Sequence, residues 1–357
     1  MEGYVMNHSK NYLASGLRGL ATLAVLTSPA FAASASAAGF NFAGDPVDDC
    51  TLVNALGDAP HYVCTSAFAD SEFDTINVGG GVTVDINRNF FASTITMGLD
   101  SALTGDGVAT STVAVDEGAT YNGNLEAGST VVLGAGVQMT GDLTAGTMAA
   151  LGADVVIYGN VEAGTTVALG AGATMVGDLI AGTTAAVGAF SSITGNVDAA
   201  STVALGANCV QVGNLTAGTT VALGADTVVH GDVTSTTATV TLGANAGVTG
   251  ELTAGTAATL AAGAYGCQNL DAVTSTLGAG AFVNLNLDSV TTTLGAGAYV
   301  RGDMNALTAT FGANACYGGS LTNTTLTLGT GAGQCVALPT YDACNPAPAN
   351  SASVHSN

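Results

Sequence analysis

The residues whose types and spacing carry chemical potential in this 357-residue chain fall in series along the sequence, not in local clusters. A threonine recurs every 17 to 19 residues at Thr94, Thr112, Thr130, Thr166, Thr184, Thr202, Thr220, Thr239, Thr274, Thr291, Thr308 and Thr325. Thr75 precedes the series, and Met148 and Ala257 hold its two interrupted places. Two residues further on, a second series runs Thr96, Ala114, Val132, Ala150, Ala168, Ala186, Ala204, Ala222, Thr241, Thr259, Thr276, Thr293, Thr310 and Thr327. Neither series contains a charge. Methyl groups favour ordered water above them and hydroxyls anchor it, so such a field would adsorb structured water, whereas a solvent-facing β surface normally carries mixed charge. The structural alternative is that threonine has high β-propensity and stacks well on itself.

A third series, preceded by glycine except at Asn269 and Asn286, runs Asn124, Asp142, Asn160, Asp178, Asn196, Asn214, Asp232, Glu251, Asn269, Asn286 and Asp303. Asp and Asn suit positions beside tight turns, where they cap backbone groups and tolerate left-handed geometry. Calcium is the functional alternative, but the Gly-Gly-x-Gly-x-Asp nonapeptide of calcium-binding β-helices is missing. His61 and His230 are isolated, which argues against zinc and against an acyltransferase histidine. No series joins acids to Arg or Lys as a polysaccharide-cleaving site would, and Gly79-Gly80-Gly81 lacks the lysine and helix of a phosphate loop. We expect no catalytic residue, metal or cofactor, and a protein that is not an enzyme.

Positioning these series falls to a repeat. An apolar residue followed by glycine recurs from Val78-Gly79 to Leu328-Gly329, with spacings of 18 through Leu133, Leu151, Leu169, Val187, Leu205 and Leu223 and of 17 near the end. About fifteen copies make an array. Within the copy from Gly177 to Thr194, the apolar residues Leu179 and Ala181, Ala185 and Val187, and Ile193 alternate, broken by Gly182 and Gly188. Alternation means strand, and glycine at the breaks means tight corners. Helical spacing of apolar residues is missing, and Gly, Thr and Val disfavour helix. The expected fold is all-β: a three-sided parallel β-solenoid over residues 75–338, each coil burying its inward set on the next. Eighteen residues per coil fit either hand, and the drift between 17 and 19 favours the right-handed form.

Composition narrows the function classes. Four basic residues against 26 acidic ones, with no cluster of Lys or Arg, exclude a nucleic-acid partner. Apolar content of 48% with 8% charged residues is not that of a disordered chain. Residues 1–32 read as an export signal: Lys10 and Arg18, the apolar run Leu20–Leu26, and Ala30-Phe31-Ala32 as a cleavage site. That run is too short for a membrane span, and no later segment offers one. The expected mature chain is secreted to the medium or cell surface, with Arg88 and Arg301 as its only cations. Residues 33–74 lack the repeat and form a candidate cap, and 339–357 a Pro/Ala/Ser/Asn tail. Seven cysteines in an exported chain suggest disulfides. The expected pairs are Cys50 with Cys64 and Cys335 with Cys316 or Cys344, leaving Cys209 unpaired.

By alternation with Val131, Val167, Val203 and Val221, both threonine series face outward. They would repeat near 4.8 Å along the solenoid and roughly 7 Å across a Thr-x-Thr pair, close to the repeats of ordered water on ice planes. This ladder resembles that of solenoidal antifreeze and ice-binding proteins. The repeat itself, as in Leu169-Gly-Ala-Gly-Ala-Thr-Met-Val-Gly-Asp-Leu-Ile-Ala181, is similar to coils of secreted bacterial ice-binding proteins and of the polymer-forming bactofilins. The chain lacks the long helix of the former, and carries an export signal and cysteines foreign to the latter. The resemblance implies adsorption to ice, or ordered water, through the threonine face. The alternative it implies is a structural or adhesive extracellular protein that self-associates through its ends or that same face.

Overall fold

In the computed structural model, residues 40–43, 50–54, 60–64, 72–86, 88–335 and 344 are described. The expected signal, 1–32, and all of the expected tail except Cys344 lie outside the described residues. Each coil between about residues 120 and 230 has three short strands, for example Val156–Tyr158, Val161–Ala163 and Thr166–Leu169. They pair in parallel with Thr174–Val176, Leu179–Ala181 and Thr184–Val187, their counterparts one coil on. The chain is thus a parallel β-solenoid of about 15 coils with three strand ladders, called first, second and third in the order just given. Every coil closes at a residue in the left-handed region, fifteen in all from Gly81 to Gly331. Gly, Asp or Asn fills this corner everywhere except at Phe190 (φ 63°), which stands 68% exposed. These are the residues that adopt left-handed geometry at low cost.

Strand periodicity sends alternate residues into one continuous core. The first ladder contributes Leu103, Tyr121, Met139, Ile157, Met175 and Ile193, all buried. The third contributes Ile95, Val113, Val131, Val167, Val203, Val221 and Val240. A fully buried Val or Leu is worth about 1.5–3 kcal/mol, and it becomes fully buried only when coils lie both above and below. Gly107 occupies an inward place because the rings of Phe90 and Tyr121 fill the space a Cβ would need. Burial raises the Tyr121 phenol pKa, and its hydroxyl donates to the carbonyl of Gly105 at 2.9 Å.

Coil length varies at the corner between the second and third ladders. Ser235 and Thr239 have three residues between them, Ala254 and Ala257 two, and Ala272 and Thr274 one, yet the strands on either side stay paired. In most of the 18-residue coils this corner carries glycine, with Thr110 and Ala200 in the same place in two of them, and a Cβ on Gly164 would strike the carbonyl oxygen of Gly146. Where the corner shortens, the two ladders merge into the bent strands Leu270–Leu277, Leu287–Leu294 and Met304–Phe311.

The two ends differ. Although residues 33–74 show no repeat, Phe40–Phe42 adds a parallel strand to the third ladder and His61–Cys64 adds one to the first. Cys50–Asn54 runs antiparallel to His61–Cys64 with a bulge after Leu52, and Cys50 and Cys64, directly opposite, form a disulfide. His61 Nε2 lies 2.7 Å from Asp85 Oδ2, tying this hairpin to the first coil. Cys316 bonds to Cys335, and Cys344 bonds to Cys267, 77 residues earlier. Cys209 is free and buried, its thiol donating to Gly188 O at 3.1 Å, and burial pushes its pKa up. Among the described residues no helix is long and apolar enough to cross a membrane.

Candidate functional site: the threonine face

Each member of the first threonine series is stacked on the next by strand register. Thr75, Thr94, Thr112 and Thr130 pair in turn, as do Thr166, Thr184, Thr202, Thr220 and Thr239. Beyond Ala257 the column resumes through Thr274, Thr291, Thr308 and Thr325. The second series stacks beside it, from Thr96 through the alanines to Thr241, Thr259, Thr276, Thr293, Thr310 and Thr327. None of these threonines is buried, whereas the residues between the two columns all are, from Ile95 through Val167 to Ala309. Thr292 and Ser275 are the polar members of that inward row. Thr292 exchanges a hydrogen bond with Ser289, and the Ser275 hydroxyl has no partner.

The face therefore consists of two columns spaced about 7 Å apart with rungs about 4.8 Å apart, over a length on the order of 70 Å. Acidic side chains stand elsewhere, among them Glu126, Glu162, Asp198, Asp271 and Asp288 on the outward column of the second ladder. Partial burial is the main cause of a raised pKa at Asp198, with Thr216 opposing and Asp178 adding to it.

Hydroxyl use separates the face from the adjoining corner. Corner threonines bond to the coil before them: Thr165 donates to Thr147 O (2.7 Å), Thr219 to Ser201 O (2.9 Å), Thr256 to Ala238 O (3.0 Å) and Thr324 to Leu307 O (2.8 Å). On the face, among the described residues, only Thr96 and Thr130 make side-chain hydrogen bonds within the protein. Thr96 donates to Asn77 Oδ1 at 2.8 Å, and Thr130 meets Ser129 at 3.4 Å. The remaining face hydroxyls make no hydrogen bond to another described residue. That difference is invisible in the sequence, where both positions read simply as threonine.

The Asp/Asn series is a backbone brace. Asn160 donates its N–H to Asp142 Oδ1 (2.7 Å), Asp178 to Asn160 Oδ1 (2.8 Å), Asn196 to Asp178 Oδ1 (2.6 Å), and the pattern continues to Ser320 on Asp303 (2.7 Å). Two donations from Ser320 hold the exposed Asp303 carboxyl below its ordinary pKa. One carboxylate oxygen of each aspartate thus serves the neighbouring coil, and no group of three or more His, Cys, Asp or Glu that could hold a metal ion occurs among the described residues.

Two features escaped the sequence reading. Tyr265, Phe282 and Tyr299 form a stacked ring ladder with centroids 5.4 and 5.1 Å apart, one ring per 17-residue coil. They continue an outward column of the first ladder, yet Phe282 and Tyr299 are buried. The Cys267–Cys344 bond on the same face brings the later chain to this region. An aromatic every 17 residues was the available signal for the rings. The fold and site define a β-solenoid repeat protein with one uncharged threonine face. Comparison with family models, curated proteins and solved structures found no match.

Proposed function

We propose that this chain is a secreted, non-catalytic protein that adsorbs to ice, or to water ordered as in ice, through the two outward columns from Thr94 and Thr96 to Thr325 and Thr327. The observation that carries this reading is the set of stacked, uncharged face threonines whose hydroxyls, Thr96 and Thr130 aside, take no partner among the described residues. A rigid lattice needs little ordering on contact, so its binding free energy is not spent on freezing side chains. β-Branched threonine adds stiffness at χ1. Its methyl and hydroxyl give each rung an apolar and a hydrogen-bonding contact at fixed separation.

The test is thermal hysteresis and ice-crystal habit of the purified chain, followed by the Thr291→Lys, Thr308→Lys double variant. Shaped crystals and a freezing gap are expected for the parent protein, both lost in the variant with β content unchanged. Freely growing round crystals with the parent protein would overturn the reading. A structural or adhesive extracellular role, with copies packing side by side through the threonine face, is the second reading, supported by the two stacked uncharged columns, and it predicts assemblies of many copies visible by electron microscopy.

A further inference from the structure

Among the described residues, the solenoid core is covered at one end and bare at the other. At the first coils Phe42 and Tyr62 are fully buried, their rings packed edge to face at 5.0 Å, and an antiparallel disulfide-linked hairpin lies over the first ladder. An antiparallel strand with a bulge is a poor template for continuing a parallel stack. In the last coil the core positions are open: Leu326 is 40% and Leu328 48% exposed, while Ala309 and Phe311, their counterparts one coil back, are 0% and 2% exposed. Leu321–Thr322, Thr325–Leu328 and Gly333–Gln334 are the last strands of their three ladders among the described residues. The Cys316–Cys335 disulfide fastens this coil to the one beneath, so the edge is held in place.

Three observations bear on what covers it. Residues 304–335 contain no charged side chain, in a chain of net charge −22, so this end is where two copies meet least repulsion. The later chain is pinned through Cys344 to Cys267, on a coil well short of the end. Val336, Leu338 and Tyr341 belong to the eight residues that link Cys335 to Cys344 and so lead back to Cys267, four coils before the end, while residues 345–357 offer Val354 as their one large apolar side chain, too little to cover two leucines. A second copy brings the matching leucines and matching unpaired edges.

We propose that two copies of this chain join end to end through their last coils, Leu326 and Leu328 of each meeting those of the other about a two-fold axis. Such an interface is isologous and closes after one contact. With the opposite end covered, assembly stops at two and does not grow into filaments. The area of one coil end is small beside a standard interface, so the equilibrium depends on concentration in the micromolar range and above.

Sedimentation and light scattering of the full chain, with small-angle scattering for length, decide this. The expected result is a doubling of mass with rising concentration, no larger species, and a particle close to twice the length of the monomer. Leu326→Asp with Leu328→Asp should keep the mass at one copy without loss of β signal by circular dichroism. Three results would overturn the proposal: a monomer at every concentration, species beyond two copies, or a dimer no longer than one solenoid. If dimers form only after truncation beyond Cys344, the tail is the occupant and the proposal also fails. Both variants lie off the threonine columns, so loss of the dimer and loss of ice adsorption are separate outcomes.

Discussion

The middle coils, through about residue 222, and the final coils, from Thr239 onward, build the same face by different means. In the middle the second face column is alanine, and a Ser/Thr corner beside it, including Thr165, Ser201 and Thr219, bonds coil to coil. From Leu270 to Phe311 the corner glycine is gone and Val273, Val290 and Leu307 stand exposed there, and from Thr241 onward the second column is threonine. Corner and face trade duties between the coils of Thr165, Ser201 and Thr219, where the corner is hydroxylated and the second column is alanine, and those of Val273, Val290 and Leu307, where the corner is apolar and the face shows pairs of hydroxyls. The coils of Thr237, Thr256 and Thr324 carry hydroxyls at both. Two local solutions thus keep one lattice in register, and the comparison separates what methyls contribute to adsorption from what hydroxyls contribute.

The largest effect expected is on adsorption itself. Thr291→Lys with Thr308→Lys should abolish thermal hysteresis, and the matched middle pair, Thr184→Lys with Thr202→Lys, should reduce it by less. Equal losses would mean that methyl packing alone carries the binding, so that alanine rungs count as much as threonine ones. Next in size is the corner. Gly164→Ala forces a methyl into the Gly146 carbonyl and should cost about 1–3 kcal/mol in a denaturant titration. Val273→Ala, at the shortened corner, should change stability little. Comparable losses at both sites would show that glycine is not what tightens the middle coils.

A smaller, stabilising effect is expected at Phe190, whose left-handed backbone is strained for a bulky side chain. Phe190→Asn, matching Asn208 one coil on, should gain about 1 kcal/mol, and an unchanged melting temperature would refute the strain. The smallest effect is at Asp198. Its raised pKa means that the fold disfavours the ionised form, so the carboxylate costs stability above its folded pKa, and that cost disappears as pH falls below the ordinary 3.8. Asp198→Asn should therefore raise stability at neutral pH by no more than about 0.5 kcal/mol, read as a slightly higher melting temperature, and the gap should close in acid. Asp288→Asn, on the same outward column but exposed, is the control.

What was legible beforehand was whatever repeats. Period 18 and alternation put Val131 and Val167 inside and Thr130 and Thr166 outside, which suffices for the coil, the core and the columns of the face. What was hidden depends on contacts without a period. Phe40–Phe42 and His61–Cys64 join the ladders as segments too short to show alternation, and Cys267 meets Cys344 across 77 residues of sequence. The Asp/Asn corner was readable as capping, but not that each side chain caps the following coil's amide. Hydroxyl use was equally hidden, because Thr165 and Thr166 are neighbours of one type and only their orientation to the previous coil tells them apart.

The corner between the second and third ladders, which holds three residues, two or one without shifting the strands beside it, makes this scaffold permissive to editing. A peptide spliced in at Thr236–Ala238 would leave the face undisturbed, and whole turns could be added or removed between matching corners. A lattice of chosen length, carrying a cargo along one edge, is within reach of simple recombination of this chain.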